Sequence, residues 1–525
     1  MAKLFLIVAA TGDVRLTDQS SVTGFRAENE RDISFVDIAI QSPSGRMVAL
    51  GLLFFAMIWL PHLAWTSLAT PVDNIEQLTW VRSLEWGYYK HPPLPTWMLW
   101  LPAHLANFSE WSGYLLGATV TLGAMGVFWM LLRELRGSTY AVLALLAALC
   151  ITYYNGRLHY YNHNVVLLLM NVASAWYCWR AFEDKRLRWW LALGVTMGLG
   201  ALSKYQIAVT AISVLCFWVS QQGWREPRQV RGLLLAALVG LIIFTPHLLW
   251  LPAHDFGPVR YAMGTSLGAD LSIGIRVFNA GNWLADQIFN RSLPAFILLA
   301  VCVLSVLRRG SQAFGSTPPG VIEERTGSRA LILCFAIVPL AFMAALGIVF
   351  GSELQLQWGT AFLPFIVPAV MEWKPVEFWR RVRVTVALKA FFTLQAILLV
   401  MSYVTSPLGF RPLVDPHWRT FRSEAFARQV ASPARVALGG PVRVVTGDLA
   451  IVGGLALQLP ERPLVLIDGR FDKSPWVPRD LVRDCGVLSV FRSSTAPPDA
   501  APAGRDFPGI YWRVGKSQFA SSCEP

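Results

Sequence analysis

Between Val72 and Leu101 the chain reads VDNIEQLTWVRSLEWGYYKHPPLPTWMLWL, with Asp73, Glu76, Arg82, Glu85, Lys90 and His91 gathered beside an apolar run. Asp73 and Glu76 stand three positions apart, a spacing that puts both carboxylates on one face of a helix, one turn from each other. Pro92-Pro93 must then stop any helix, because proline lacks an N–H and pushes the residue before it out of the α region. Lys90 and His91 are therefore expected on a rigid turn that follows a short acidic helix. A carboxylate can take a proton from a hydroxyl, and a cation at a membrane edge can hold a phosphate. Together they suit a phosphate-bearing substrate at the bilayer surface.

Four other polar stretches interrupt apolar runs: Asn155–Asn164 (NGRLHYYNHN), Ser203-Lys204-Tyr205, Pro246–Ala262 (PHLLWLPAHDFGPVRYA) and Gly351–Gly359 (GSELQLQWG). Lys204 has no acid near it in sequence. It either snorkels to the interface or faces a phosphate. His159 and His163 have the i, i+4 spacing of a metal pair, but a short aromatic loop favours interface histidines. His62 and His247 each follow a proline and are expected to bond freed helix carbonyls. The tryptophans near the first stretch, such as Trp59, Trp65, Trp86, Trp97 and Trp100, fit an interfacial belt.

Composition sets what must position these groups. Of 525 residues, 54% are hydrophobic and 15% charged, with 22 Trp, which is a polytopic membrane chain. The net charge of +12 does not point to nucleic acid, because its Lys and Arg sit in short loops between apolar runs, where they orient helices and touch anionic lipid. Runs near the ~20 residues needed to cross a bilayer fall at 47–68, 112–132, 138–155, 164–182, 189–203, 205–220, 232–252, 291–307, 330–350, 359–371 and 384–405, eleven expected spans. Alternate loops carry eighteen basic residues on one side and seven on the other. The richer side is expected to be cytoplasmic, so the loop 70–111 and the C-terminal end are expected outside the inner (plasma) membrane. Residues 1–45 read as a poorly ordered leader, 46–405 as the membrane domain. From 406 to 525, β-rich runs at Val442–Thr446, Pro463–Asp468, Val487–Phe491 and Ile510–Val514, with a helix near 450–459, read as a small extracytoplasmic α/β domain. Cys485 and Cys523 are the two cysteines of that tail. They either pair in an oxidising compartment, or Cys485 is buried and Cys523 lies on a frayed end.

The pattern of an acidic residue, a short helix, GYY-K-HPPL and a following Trp resembles the bacterial ArnT-like and protein-mannosyltransferase-like families, glycosyltransferase family 39 and relatives. The loop PHLLW…HDFGPVRYA and the turn SELQLQWG look like later loops of the same families, so the match runs from about Asp73 to Gly359. The resemblance implies a GT-C membrane enzyme that moves a sugar from a polyprenyl-phosphate carrier, with inversion, to an acceptor outside the cytoplasm: a lipopolysaccharide or other glycolipid, a polysaccharide or a protein. It implies Asp73 and Glu76 as catalytic carboxylates, Lys204, Arg260, Lys90 and His91 as donor-phosphate ligands, and Tyr89, His163, Tyr205 and Trp358 as substrate contacts. Three departures stand out. Asp73-Asn74 replaces the Asp-Glu of many relatives, Asn162-His163-Asn164 replaces an acid, and Lys90-His91 replaces the Glu-Lys of ArnT-type enzymes. No metal site is therefore carried over, and no cofactor follows from any motif, with a divalent metal left open. A lipid or sugar transporter is the rival reading. It would place charges at mid-membrane on broken helices, whereas the charges here gather at outer helix ends.

Overall fold

The computed structural model describes residues 42–266, 271–308, 326–409, 420–515 and Cys523. The expected leader lies outside the described residues up to position 41. Helix α1 (Gly45–Thr66) starts where the Ser44 side chain accepts from the Met47 N–H, satisfying one of the donors that a helix start leaves open. The short α2 (Val72–Trp80) and α3 (Leu94–Leu105) flank the Pro92-Pro93 turn. Then come α4 (Glu110–Arg136), α5 (Ser138–Ala148), α6 (His163–Asp184), α7 (Leu187–Ser203), α8 (Ile207–Ser220), α9 (Pro227–Ala253) and α10 (Gly257–Ser266). They are followed by α11 (Ile273–Ala285), α12 (Leu293–Leu307), α13 (Ser328–Phe350), α14 (Ile366–Met371), α15 (Val376–Arg380) and α16 (Val384–Val404).

Six of these are long and apolar enough to cross a membrane: α1, α4, α6, α9, α13 and α16. A seventh crossing is formed if residues 273–291 and α12, bent by 53° at their junction, count as one. Full-length helices among the described residues thus number six or seven, beside an expected count of about eleven spans in which 189–203 and 359–371 are short. All eleven apolar stretches contain helix, but α5, α8 and α12 have 11, 14 and 15 residues, and α14 has six. Apolar sequence reports burial, not helix continuity. Leu149, Cys150 and Ile151 are apolar and fully packed, yet the backbone turns there and Asn155 Nδ2 donates to Leu149 O.

Helix α6 is the pivot of the bundle, with 72% of its apolar window buried. Midway along it Asn171 donates to Ala361 O at 2.8 Å and accepts from Thr210 Oγ1 at 2.8 Å. These bonds tie α6 to α8 and to the turn before α14, a low-dielectric use of polar side chains between helices. The N-terminal end of α6 is thereby fixed where the site is built.

The tail folds as α17 (Ser423–Leu438), β1 (Val444–Gly447), α18 (Leu449–Gln458), β2 (Leu464–Ile467), α19 (Arg479–Cys485), β3 (Val487–Arg492), β4 (Ala501–Pro502) and β5 (Ile510–Gly515). The sheet order is β2-β1-β3-β5-β4, with β1 parallel to β2 and β3, and β5 antiparallel to β3 and β4. Cys485 and Cys523 are bonded, with Cα atoms 5.1 Å apart.

The tail is built onto the membrane part through α2. Trp80 and Tyr88 are buried in the tail's own core beside Phe426, Val430 and Ile451, and their rings stack with centroids 4.8 Å apart. Helix α18 crosses α2 so closely that a Cβ at Gly453 would fall 2.2 Å from Ile75 Cγ2. Gly453→Val is therefore expected to push α18 off α2 at a cost of about 1–3 kcal/mol, the range for overpacking a closed contact. Thermal unfolding in detergent should show a lower midpoint, and adding Ile75→Ala should restore much of it. An unchanged midpoint for the single variant would mean that the two helices do not rest on each other.

Candidate active site

Helix α2 carries the two acids, and its neighbour Asn74 fixes where they point. Asn74 is fully buried. Its Nδ2 donates to His159 O at 2.9 Å and its Oδ1 accepts from the Tyr161 N–H at 2.9 Å. A residue that departs from the family pattern thus staples α2 to the turn before α6. A second close approach supports that turn, because a Cβ at Gly117 of α4 would lie 2.3 Å from Tyr160 O.

Asn162 does two jobs at once. Its Oδ1 caps α6 by accepting from the Asn164 and Val165 N–H groups at 3.0 and 3.1 Å, the usual role of an N-cap asparagine. Its Nδ2 donates to Asp73 Oδ2 at 2.7 Å. That bond orients the Asp73 carboxylate and leaves Oδ1 without a hydrogen bond among the described residues, the atom available to accept a proton.

Lys204 sits in the turn between α7 and α8, and its ammonium points inward. Nζ donates to Asn164 Oδ1 at 2.7 Å and lies 5.5 Å from the Trp358 ring centroid. The snorkelling alternative is thereby corrected: a snorkelling lysine turns its head to water, and this one is held by a side chain of α6. Burial pushes Lys204 down to about 7, against the opposing pull of the Asp73 carboxylate. Lys204 has no ion-pair partner among the described residues, so it is a cation in want of an anion.

Lys90 and Glu76 form the second polar unit, at 2.6 Å. The Lys90 ammonium also faces the rings of Tyr89 and Tyr261 at 5.3 and 5.4 Å, and the Tyr89 hydroxyl donates to Glu76 at 3.4 Å. Burial lowers Lys90, but the Glu76 carboxylate and the two phenols outweigh it, so the net direction is up and the ammonium is held charged. Burial raises Glu76, with Lys90 opposing it. Glu76 is thus engaged, while Asp73 keeps an oxygen open.

His91 and His163 meet with ring centroids 4.0 Å apart. Burial, then the nearby His163, Lys204 and Lys90, drive His91 well below its usual range. That shift favours the neutral ring, so as a phosphate ligand His91 would act without a charge of its own. Arg260 is also not brought into the cluster. Its side chain is 67% exposed and pairs loosely with Asp255 at 3.8 Å, while its neighbour Tyr261 faces Lys90. Tyr205 instead bonds His247 Nε2 at 2.7 Å, and His247 Nδ1 meets Trp86 O at 2.6 Å, which anchors the segment between α2 and α3 to α9. His159 and His163 diverge, His159 against Tyr114 and Tyr160, His163 against His91 and Trp80. Among the described residues no three His, Cys, Asp or Glu side chains group as metal ligands.

The tail reaches the same cluster. Lys473, held by Asp468 at 2.7 Å, places its ammonium 5.3 Å from the Tyr89 ring, so Tyr89 lies between a cation from each part of the chain. Sequence reading missed Asn74 and Lys473, the first as a staple and the second as a wall. For Asn162 an N-cap signal was present, an asparagine one residue before an apolar helical run.

Residues 90–250 match the family model described as dolichyl-phosphate-mannose-protein mannosyltransferase. Two lipopolysaccharide core galacturonosyltransferases of Rhizobium johnstonii, RgtA and RgtB, are each 24% identical, RgtA over 83% of this chain and 83% of its own, RgtB over 84% of each. The lipid A galacturonosyltransferase RgtD of the same organism is 24% identical over 44% of this chain and 48% of its own. Among solved structures, ArnT from Cupriavidus metallidurans bound to undecaprenyl phosphate superposes with a TM-score of 0.60 at 15% identity, covering 92% of this chain and all of that one. Its apo form gives 0.57.

Proposed function

From the premise that this is a membrane glycosyltransferase of GT-C type, we propose that it moves a sugar from a polyprenyl-phosphate donor to a lipopolysaccharide acceptor, core or lipid A, with inversion at the anomeric carbon. The observation that carries this reading is the Asp73–Asn162/Asn164–Lys204 arrangement: a carboxylate with one open oxygen and a cation without an anion, both held by the first turn of α6. The similarity to RgtA and RgtB, two lipopolysaccharide core transferases, supports the acceptor class. The ArnT fold, solved there with undecaprenyl phosphate, supports the donor class.

The step divides between the two groups. The acceptor oxygen forms a bond to the anomeric carbon as the bond from that carbon to the phosphate oxygen breaks, and the acceptor proton passes to Asp73 Oδ1. The leaving polyprenyl phosphate gains a negative charge that the Lys204 ammonium neutralises, with Lys90 as a second cation fixed by Glu76. Desolvation makes each of these interactions stronger than it would be in water. The test is a choice of donor: purified protein should use a polyprenyl-phosphate-linked sugar, such as galacturonic acid, and leave the nucleotide-linked sugar untouched. Use of the nucleotide sugar alone would overturn the donor assignment.

The same reading places the site and the C-terminus outside the inner membrane, from the asymmetry of basic loops. All eleven apolar stretches would then lie within the membrane region, some as partial crossings. A C-terminal alkaline phosphatase fusion is expected to be active, and a reporter that works only in the cytoplasm silent. The reverse pattern would move the site to the other face.

A further inference from the structure

Helix α4 runs from the site to the other face. Glu110 at its start accepts from Thr70, and Arg136 closes a helix of 27 residues, about 40 Å long at 1.5 Å per residue. At that far end a cavity of about 620 Å3 opens between the end of α4, the start of α13 and the segment joining α14 to α15. Its wall is a buried ion pair. Arg136 donates from Nε and Nη2 to the two Glu372 carboxylate oxygens at 3.0 and 2.8 Å, and Tyr140 donates to Glu372 at 2.9 Å. That pair is satisfied and adds no net charge to the cavity.

Beside Leu135, Trp373, Pro375 and Val376, the charged part of the remaining lining is mainly basic. Arg329, Lys374 and Arg380 face the cavity with Glu377 as the one remaining acid among the lining residues. Arg329 and Lys374 have no ion-pair partner among the described residues. Lys374 lies 5.7 Å from the Phe378 ring. Trp373 stands beside them, 85% exposed, the position of an aromatic at a membrane–water interface. Arg329 and Lys374 are exposed, as loop cations are, but both stand on one cavity beside the buried Arg136–Glu372 pair and an interfacial ring. A basic pocket between helix ends at the bilayer surface suits a phosphate headgroup.

We propose that this cavity binds the phosphate headgroup of an anionic phospholipid in the leaflet opposite the active site. In the orientation proposed above that leaflet is cytoplasmic, but the binding itself depends on neither the orientation nor the transfer reaction. The headgroup phosphate lies between Arg329 and Lys374, and the acyl chains leave past Trp373 into the bilayer. The distance from Asp73 makes it a separate site.

Native mass spectrometry of the full chain in detergent, with phosphatidylglycerol or phosphatidylcholine added, tests this. The wild type should retain phosphatidylglycerol in preference to phosphatidylcholine, and Arg329→Gln/Lys374→Gln should lose roughly thirtyfold in retention, from the usual contribution of two cations at a lipid surface. Glu377→Gln, which removes the opposing acid and leaves the cations in place, should raise retention roughly fivefold. Equal retention of both lipids, or no change in either variant, would overturn the proposal. Displacement of the lipid by millimolar inorganic phosphate would overturn the lipid assignment in favour of a soluble anion.

Discussion

Asp73→Asn is expected to lower sugar transfer by roughly 10²–10⁴-fold, the range for loss of a positioned general base, while the protein stays folded in the membrane. The substitution is nearly isosteric. Asn162 Nδ2, which donates to Asp73 Oδ2 at 2.7 Å, can donate equally to an amide oxygen, so α6 keeps its cap and α2 its place. What is lost is the capacity to take the acceptor's proton. Side-chain capping cannot account for a loss of activity, because the N-cap of α2 is Pro71 and α2 has no side-chain cap bond. Turnover of purified wild type and variant with a defined polyprenyl-phosphate sugar is the measurement. Near-normal turnover would move the base to Glu76, which would first have to leave Lys90.

Lys204→Ala is expected to cost roughly 10²–10³-fold in transfer, as loss of one donor to a developing oxyanion does, and to weaken donor binding. The pH dependence has a definite sign. Burial holds Lys204 at about 7, so the ammonium is present below that pH and lost as pH rises through it. An anionic phosphate favours the charged form, so donor binding takes up a proton, and donor affinity should fall as pH rises above about 7. The slope should vanish in Lys204→Ala. Arginine stays protonated throughout this range, so Lys204→Arg should lose the slope too while retaining part of the binding. Donor affinity that does not depend on pH and does not change in Lys204→Ala would return this lysine to a structural role beside Asn164.

Much of this was legible in the chain itself. The i, i+3 spacing of Asp73 and Glu76, the proline pair after Lys90-His91 and the lone Lys204 are local features, and local geometry follows from spacing. The tail was equally readable. The runs at 442–446, 463–468, 487–491 and 510–514 became β1, β2, β3 and β5 within a residue or two, because β-branched runs bounded by Gly, Pro and Asp leave few alternatives. What could not be read were the partnerships. Asn162 meets Asp73 across 89 positions and Asn164 meets Lys204 across 40, and no spacing announces such pairs. Asn74, standing where many relatives carry an acid, is accounted for by its two bonds to the turn before α6. Arg260 and Tyr261 differ by one position, yet helix α10 turns the tyrosine to the cluster and the arginine to solvent. Among the described residues, helices of full spanning length number six or seven for a related reason, since a buried turn is as apolar as a buried helix.

The central claim is that the phosphate–sugar bond is broken here and the sugar is passed to an acceptor. The most direct test is to reconstitute the purified chain in vesicles with a polyprenyl-phosphate sugar and a lipopolysaccharide acceptor, and to follow both lipids by mass spectrometry. The acceptor is expected to gain the mass of one sugar residue as the donor becomes bare polyprenyl phosphate, and Asp73→Asn vesicles are expected to show neither change. Donor that crosses to the other leaflet intact, with no gain in acceptor mass, would contradict it and leave a transporter in its place.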